Sequence, residues 1–371
     1  MADTLKLAFV GDICLGLSLR DRLSLPDGNP FAAVESILAP FDLRIGNLEF
    51  CIANEATLSS VAQNPMAVST SQADVIADAG MNLVALANDR ILDCGQAALH
   101  DTFSWLESRG IAYCGAGRNL QQAWALKTVD CRGWRLGFLA ACDDSRYFAT
   151  SHAGGIAPLF AEELLARVRE AAAQVECLTV ILHADLEFGD CPAPWRVKLA
   201  RRLVDAGAKM VIQHHPHVLQ GIENYRGGLI AYSLGNFVFA VHGNRYQGAI
   251  SGVDQSVILS VELTRCNGQI SLAWTALPVL ISENNMTQPA SPAQSQSILD
   301  SLASRSAYLL HPGLHRRRWF SRCHQELKKQ LGLCYWSARR HGFRQGIADI
   351  VQLLGRTEHR RWIRGWLLRG R

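Results

Sequence analysis

Three histidines within four residues, His214, His215 and His217, follow the largely apolar run KMVIQ (209–213) in this 371-residue chain. Neutral imidazole is a common ligand of transition metals, and three such side chains so close together have few structural uses. The cluster therefore predicts metal binding at the end of a buried strand.

Oxygen ligands and one further imidazole follow other apolar runs. These clusters are Gly11-Asp12, Asn47-Leu48-Glu49, Asn88-Asp89-Arg90 and His183. Each is ambiguous by itself: Asp12 could cap a helix, Glu49 could pair with a surface base, and a lone His183 is more often a satisfied core histidine. Together, their mixed oxygen and nitrogen donors favour one or two divalent transition metals, Mn, Fe or Zn, over Ca²⁺.

The elements that must position these residues alternate between apolar strands and amphipathic helices. Strands are predicted at 5–10, 42–47, 81–88, 135–140, 177–182 and 209–213, and helices at 73–79, 95–109, 161–173 and 194–206. This alternation predicts α/β layering. Because strand ends converge at one edge of such a sheet, residues far apart in sequence are expected to share a site.

The pattern changes after residue 227. The stretches 228–239 and 256–280 are rich in strand-forming residues, and Asn267-Gly268 predicts a hairpin turn that adds antiparallel strands to a mixed sheet. A polar segment rich in Pro, Ser and Gln, at 283–297, is typical of a linker. We therefore predict a domain over 1–282, a linker over 283–297 and a basic helical tail over 298–371.

Charge is distributed unevenly along the chain. Residues 311–371 hold 15 Lys/Arg against 3 Asp/Glu, whereas residues 1–310 hold 22 against 30. The tail also contains Trp319, Trp336, Trp362 and Trp366. It is either a helical cap that packs on the body or a contact for an anionic surface, namely the inner membrane leaflet or an acidic polymer. No nucleic-acid-binding motif is present, so nucleic acid is not an expected partner.

The remaining composition bears on location. There is no run of 18 apolar residues and no pattern typical of a signal peptide, and the eleven cysteines show no disulfide-like spacing. These features predict a cytoplasmic protein, with peripheral membrane contact through residues 311–371 as the further option.

Six motifs, in this order, resemble those of the CapA family, which is named for bacterial capsule and poly-γ-glutamate synthesis. They are IGNLEF (45–50), LANDRILDCG (86–95), GIAYCGAGRN (110–119), LHADLEF (182–188), DAGAKMVIQHHPHVLQGIE (205–223) and IAYSLGNFVF (230–239). That family is similar to calcineurin-like metallophosphoesterases. The resemblance implies an α/β (α+β) fold, a four-layer αββα sandwich, to which the C-terminal helical basic extension is added.

The resemblance also implies a site. The implied metal ligands are Asp12, Glu49, Asp89, His183, His215 and His217. Arg90 and His214 are expected to face a phosphate as catalytic groups. Three further residues are expected to contact substrate or orient a ligand: Asn88, Glu187 through a hydrogen bond to a ligand imidazole, and Asn236, which could instead cap a turn.

Several positions depart from the family pattern, and two of them, Asp89 and Arg90, are among the expected site residues. Asp89 stands where an asparagine is usual, and Arg90 stands where related phosphoesterases place a histidine near the leaving group. Arginine keeps a pKa above about 12, so it cannot act as a general acid near neutral pH, although it can contact a phosphate through two N–H groups.

Two functions remain open from the sequence. The first is hydrolysis of a phosphoester by a metal-activated water during surface-polymer biosynthesis, acting on a phosphorylated small molecule or an anionic polymer. The second is a non-catalytic, metal-binding subunit of a polymer synthesis or export complex, whose basic tail binds the polymer or the membrane.

Overall fold

The computed structural model describes residues 3–61, 63–64, 66–244, 250–355 and 363. Its strands are β1 (Asp3–Ile13), β2 (Leu43–Leu48), β3 (Cys51–Ala53), β4 (Ala67–Ser69), β5 (Leu83–Ala85), β6 (Ala112–Cys114), β7 (Ala116–Gly117), β8 (Lys127–Cys131), β9 (Trp134–Cys142), β10 (Gly155–Ile156), β11 (Cys177–His183), β12 (Met210–His214), β13 (Ile222–Tyr225), β14 (Gly228–Ala231), β15 (Asn236–Val238), β16 (Gln255–Cys266), β17 (Gln269–Ile281) and β18 (Thr287–Pro289). Its helices are α1 (Ser18–Arg22), α2 (Glu35–Leu38), α3 (Glu55–Val61), α4 (Thr70–Asp78), α5 (Gly95–Ser108), α6 (Leu120–Ala123), α7 (Ala161–Ala172), α8 (Pro194–Asp205), α9 (Pro292–Leu309), α10 (Pro312–His341) and α11 (Phe343–Gly355).

Two large sheets contain most of these strands. Sheet I has the order β18-β17-β16-β1-β2-β5-β6, with β15 paired to the end of β1. Its strands β1, β2, β5 and β6 are parallel, whereas β16 runs antiparallel to β1. Sheet II has the order β13-β14-β12-β11-β9-β8, in which β9, β11, β12 and β14 are parallel. The mixed sheet predicted from the late strands is therefore confirmed.

Alternate side chains of sheet II enter two different cores, as β9 shows. Leu136, Phe138 and Ala140 belong to the core shared with sheet I, whereas Leu139 and Ala141 belong to a second core with α7 and α8. Buried residues of α4 and α5 join the shared core together with sheet I. Since side chains alternate along a strand, each sheet is covered on both faces. The layers are helix, sheet, sheet, helix, which confirms the predicted αββα sandwich.

Local signals in the sequence set several boundaries. A capping box starts α4, because Ser69 Oγ accepts from the Gln72 N–H while the Gln72 side chain accepts from the Ser69 N–H. The hairpin turn between β16 and β17 has positive φ at both Asn267 (51°) and Gly268 (76°), as predicted for this pair. The strands and helices predicted before residue 210 are all present, with ends that differ by a few residues.

The segment 283–297 differs from its prediction as a linker. Thr287–Pro289 pairs with Val279–Ile281 as an edge strand of sheet I, and Ser291 caps α9 through Gln294. A short edge strand and a helix start contain the same polar residue types as a linker, so composition did not separate them. The division of the chain into domains stays a prediction.

The first half of α10 packs against the loop 184–193, which follows β11. Trp319 is only 1% exposed and packs with Leu186, Cys191 and Ala193, while its ring lies edge-on to Trp195 at 4.6 Å between ring centroids. The first half of α10 therefore packs on the body of the protein, as predicted for a helical cap. Trp362 and Trp366 lie outside the described residues.

Polar contacts fix the same half of α10. Arg318 Nη2 lies 2.6 Å from Asp190 Oδ2, and Arg322 Nη2 donates to the Phe188 carbonyl at 2.8 Å. His315 Nε2 donates to the Pro192 carbonyl at 2.7 Å. No helix in the described part of the chain is both long enough and apolar enough to cross a bilayer.

Acidification is expected to weaken the attachment of α10. Burial lowers the pKa of His315, so the folded chain keeps this imidazole neutral. A buried histidine with a lowered pKa binds more protons after unfolding, so its contribution to stability is present above about pH 6.5 and falls as the pH drops below that value. We expect α10 to be cleaved faster by protease at about pH 5.5 than at about pH 8. We expect this difference between the two pH values to be smaller in His315→Gln. An identical pH response in that variant would contradict this assignment.

Candidate metal centre

The carboxyl ends of parallel strands from both sheets meet at one place. β1 ends near Asp12 and β2 leads into Glu49 on sheet I, while β11 ends at His183 and β12 at His214 on sheet II. Asp89 lies in the loop that follows β5. The sequence predicted convergence at the edge of one sheet, but the structure brings two facing sheets together, because each covers the inner face of the other.

Asn47 lies at the centre of the cluster. Its Nδ2 is 2.9 Å from Asp12 Oδ1, 3.2 Å from Glu49 Oε2 and 3.3 Å from His183 Nδ1. Asn47 stood in a predicted cluster but not among the predicted site residues. Its position two residues before Glu49, at the end of a strand, was the available signal, because such residues point to the same side.

The histidine cluster reaches the carboxylates of sheet I. His214 Nδ1 lies 2.9 Å from Asp12 Oδ1, and His217 Nδ1 lies 3.3 Å from Asp12 Oδ2. On its other side, His217 Nε2 lies 3.5 Å from Glu49 Oε1. His214 therefore positions Asp12, and its predicted role facing a phosphate stays a prediction.

Two groups of side chains could each hold a cation. One contains Asp12, Glu49 and His183, and the other contains Asp89, His183 and His215; within each group the candidate ligand atoms lie within 4.8 Å of one another. His183 Nε2 is 3.1 Å from Asp89 Oδ1, and the His183 and His215 rings are 4.7 Å apart at their centroids. All six side chains predicted as ligands are brought together, although ligation itself stays a prediction.

The donor set fits a divalent transition metal. Glu49 is 1% exposed, and its Oε1 has no hydrogen-bond partner among the described residues. A buried carboxylate oxygen without a hydrogen bond is costly, and a bound cation would satisfy it. Carboxylate oxygens combined with imidazole nitrogens are the ligand types that Mn, Fe and Zn accept.

Burial and neighbouring charges shift the pKa values of ionisable groups in the cluster. Burial acts to raise the pKa of Asp12, but the hydrogen bonds and charges of His214 and His217 outweigh it and hold that pKa well below its usual range. Burial and the charges of Asp12 and Asp89 raise the pKa of Glu49 well above its ordinary value. Burial acts to lower the pKa of His217, yet Glu49 and Asp12 raise it to about 10. Concentrated acidic groups of this kind suit a divalent cation.

Asp89 and Arg90 form a charged pair beside the cluster. Burial acts to raise the pKa of Asp89, but its hydrogen bond with His183 and the charge of Arg90 hold that pKa well below its usual range. Asp89 in turn raises the pKa of Arg90 above its ordinary value. Both side chains are therefore charged near neutral pH, so the acidic residue at position 89 is balanced by the basic residue that follows it.

A second arginine, Arg146, reaches the same carboxylate and was not predicted from the sequence. Arg146 Nη2 lies 3.7 Å from Asp89 Oδ2, while Arg90 Nε lies 3.4 Å from the same oxygen. Asp144 and Asp93 hold the two guanidinium groups from their outer sides. Arg146 lies in a 3₁₀ turn 56 residues after Arg90, and no spacing signal links the two positions.

The remaining predicted site residues, Asn88, Asn236 and Glu187, differ in what they contact. Asn88 Nδ2 donates to the Leu48 carbonyl at 2.7 Å and to Asn47 Oδ1 at 3.1 Å, so this side chain joins the ends of β2 and β5. Asn236 Oδ1 lies 2.9 Å from His217 Nδ1, which fits its predicted role in orienting a ligand. Glu187 is half-buried, and its negative charge acts to raise the pKa of His217. Its predicted hydrogen bond to an imidazole stays a prediction.

Two of the histidines have an unusual backbone conformation. His215 has φ of 95° and His217 has φ of 57°, in the region that non-glycine residues rarely adopt. Backbone strain of this kind costs about 1–3 kcal/mol per residue and persists where the surrounding structure holds it. Here it turns two imidazoles, separated only by Pro216, towards the acidic cluster.

A close backbone approach beside Asp12 requires a glycine. A Cβ placed on Gly11 would lie 2.1 Å from the Gly235 carbonyl oxygen, which also accepts from the Asp12 N–H at 2.9 Å. We expect Gly11→Ala to push β1 away from this turn, lower the free energy of unfolding by about 1–3 kcal/mol and weaken metal retention. Gly332→Ala is the matched control, because nothing lies within 4 Å of its added Cβ. Equal urea-unfolding curves for the two variants would contradict the expected clash.

Comparisons with known proteins place this geometry in context. The model of a protein family described as "Bacterial capsule synthesis protein PGA_cap" matches residues 6–241. The chain is 29% identical over 247 residues to a capsule biosynthesis protein CapA of Bacillus anthracis, covering 64% of this chain and 60% of that protein. It is 30% identical over 244 residues to a PGA biosynthesis protein CapA of Bacillus subtilis (strain 168), covering 64% of each chain. The chain thus spans somewhat under two thirds of the length of both relatives.

A solved structure was also matched. It is a 5'-nucleotidase precursor from Thermus thermophilus, with a TM-score of 0.44 and 17% sequence identity, over 83% of this chain and 59% of that one. This similarity is too low to assign any property to the site.

Proposed function

The chain belongs to the family of bacterial capsule synthesis proteins described as PGA_cap, and we propose that it acts in the synthesis of a capsule or poly-γ-glutamate polymer. We propose further that its reaction is the hydrolysis of a phosphoester with a bound divalent metal. The observation that supports hydrolysis is the buried cluster of three carboxylates and three imidazoles, with two arginines at its side. The proposed substrate is a phosphorylated small molecule or an anionic polymer, and the proposed location is the cytoplasm.

The proposed ligands come from both sheets. Asp12, Glu49 and His183 would hold a cation on the side of sheet I, with His217 beside the two carboxylates, and Asp89, His183 and His215 would hold a second one. A bound Mn, Fe or Zn ion supplies Lewis acidity towards phosphate oxygens and lowers the pKa of water to about 7.

The residues of the chain provide the rest of the proposed chemistry. Asn47 and His214 fix the carboxylate of Asp12 by hydrogen bonds, so that its position does not depend on a ligand. Arg90 and Arg146 present fixed positive charge to the non-bridging oxygens of a phosphate. Because arginine cannot release a proton near neutral pH, the leaving group would have to be protonated by water or leave as an anion.

The test combines metal analysis with turnover. Purified protein is loaded separately with Mn²⁺, Fe²⁺ or Zn²⁺, dialysed, and analysed for bound metal and for hydrolysis of p-nitrophenyl phosphate and bis(p-nitrophenyl) phosphate. The proposal predicts one or two retained ions per chain and metal-dependent turnover of at least one ester. Retained metal without turnover of either ester, also after Arg90→His, would refute hydrolysis while leaving the metal site intact.

One observation favours a non-catalytic function as the second candidate. Arg90 stands where a histidine would serve as proton donor, and its charge is engaged by Asp89 and Asp93. Under this alternative the protein is a metal-binding subunit of a polymer synthesis or export complex. It predicts that metal removal lowers the unfolding temperature and the binding of anionic polymer, without any turnover to lose.

A further inference from the structure

We propose that α11, together with the second half of α10, binds the surface of an anionic lipid bilayer. The two halves of α10 differ in their surroundings. The first half buries His315, Trp319 and Cys323 against the body of the protein. In the second half, Tyr335 and Trp336 are both more than half exposed. The second half of the helix therefore presents large apolar side chains to solvent, although Cys334 there is buried.

The apolar residues of α11 lie on one side of the helix. Phe343, Ile347, Ile350 and Val351 are separated by four, three and one residues, which places them within one helical face. All four are exposed, Phe343 by 77% and Val351 by 62%. We name these four residues the α11 apolar face. An exposed stripe of aromatic and β-branched residues is expected to have a partner, because water is a poor environment for it.

Charge around this face selects the partner. Residues 327–355 contain 5 Lys/Arg against 1 Asp/Glu. On the described helices, exposed basic residues flank the apolar ones, namely Lys328, Lys329, Arg339, Arg340 and Arg344. A second copy of the chain would bring two basic surfaces together, which is unfavourable. An acidic polymer would use the charges but leave the apolar side chains in water.

An anionic bilayer surface satisfies both properties at once. Helices that lie in the membrane interface combine an apolar face containing aromatic and aliphatic residues with a polar face rich in Lys and Arg. Anionic headgroups attract the basic residues, and the apolar face enters the region between headgroups and acyl chains. The inference does not depend on metal or on turnover at the strand ends, so it can fail without affecting the proposed hydrolysis.

Vesicle sedimentation of the full chain tests this inference. Vesicles of phosphatidylcholine alone are compared with vesicles that contain about 30% phosphatidylglycerol, at about 50 mM and about 500 mM NaCl. We expect the protein to pellet with the anionic vesicles at low salt, and binding to fall about tenfold at high salt, since exposed charges are screened. Absence of pelleting with anionic vesicles at low salt would overturn the proposal.

Matched variants distinguish vesicle binding through the α11 apolar face from nonspecific binding through any exposed apolar residue. The triple variant Phe343→Ser, Ile347→Ser, Val351→Ser is expected to lose about tenfold in vesicle binding, since each removes an apolar anchor. Phe160→Ser with Leu25→Ser is the control, because both residues are exposed on the body of the protein. All of these residues are exposed, so unfolding temperatures should stay unchanged.

Three results would count against the assignment. Equal loss of binding in the two sets of variants would show that the face is not specific. Undiminished binding of the α11 triple variant would exclude α11 as the contact. Concentration-dependent dimers in light scattering that disappear in the triple variant, without vesicle binding, would assign the face to a second copy of the chain.

Discussion

Replacing His217 with alanine is expected to remove most of the bound metal and to lower any metal-dependent turnover by more than about 100-fold. His217 contacts Asp12 through Nδ1 and Glu49 through Nε2, at 3.3 and 3.5 Å. It is also the imidazole whose ring is fixed by Asn236. Removal of a group that merely supports a ligand typically costs about 10–100-fold in metal affinity, and loss of a ligand itself should cost more. Metal content per chain after dialysis is the primary measurement.

The control for this variant is His100→Ala, which removes an exposed histidine of α5. A supporting variant, Asn236→Ala, should lower metal content less than His217→Ala, because it removes the orienting contact and keeps the imidazole. If His217→Ala retains as much metal as His100→Ala, the six side chains do not enclose a cation and the proposed function loses its basis.

Replacing Arg90 with alanine is expected to lower turnover by about 10²–10³-fold while metal content stays near that of the unchanged protein. The guanidinium lies beside Asp89 and outside the carboxylate cluster, so its loss removes fixed positive charge without removing a ligand. An effect of that size is typical when one preorganised electrostatic contact to a transition state is deleted. Arg90→Lys should recover only part of the rate, because an ammonium group cannot make the paired contact of a guanidinium.

Arg109→Ala provides the matched control for Arg90, because Arg109 also pairs with a carboxylate, Asp74, at a distance from the site. Arg146→Ala should give a smaller loss, since its side chain is more exposed than that of Arg90. If Arg90→Ala leaves turnover unchanged, Arg90 only balances Asp89. In that case Asp89→Asn combined with Arg90→Ala should be more stable to urea than Arg90→Ala alone, because no buried carboxylate remains that has lost the nearer of its two arginines.

The sequence allowed the strands and the positions of the site residues to be predicted, because both follow from local patterns. Buried strands of sheet II read as continuous apolar runs, since helices and a second sheet cover their two faces. Polar residues that follow such runs, such as Asp12 and His183, must lie at strand ends. That argument needs no knowledge of which strands are neighbours.

Other features of the site depend on contacts that no local pattern encodes. Arg146 reaches Asp89 only because the loop after β9 folds over the end of β5. The strand at Thr287–Pro289 forms because the edge of β17 is free to pair, whereas its residue types are those of an irregular segment. In both cases the deciding partner lies on a different element, so composition and spacing could not identify it.

The pairing of β16 with β1 has a consequence for any chain that is truncated to residues 6–241, the region that the family model matches. All six candidate ligands lie within residues 6–241, yet the whole of Asp3–Phe9 pairs with Leu259–Arg265 beyond that segment. A chain cut after residue 241 would retain every chemically active side chain but would leave one long flank of β1 without hydrogen-bond partners. Such an open flank recruits strands from other molecules, so insolubility, rather than a missing ligand, would be the expected defect.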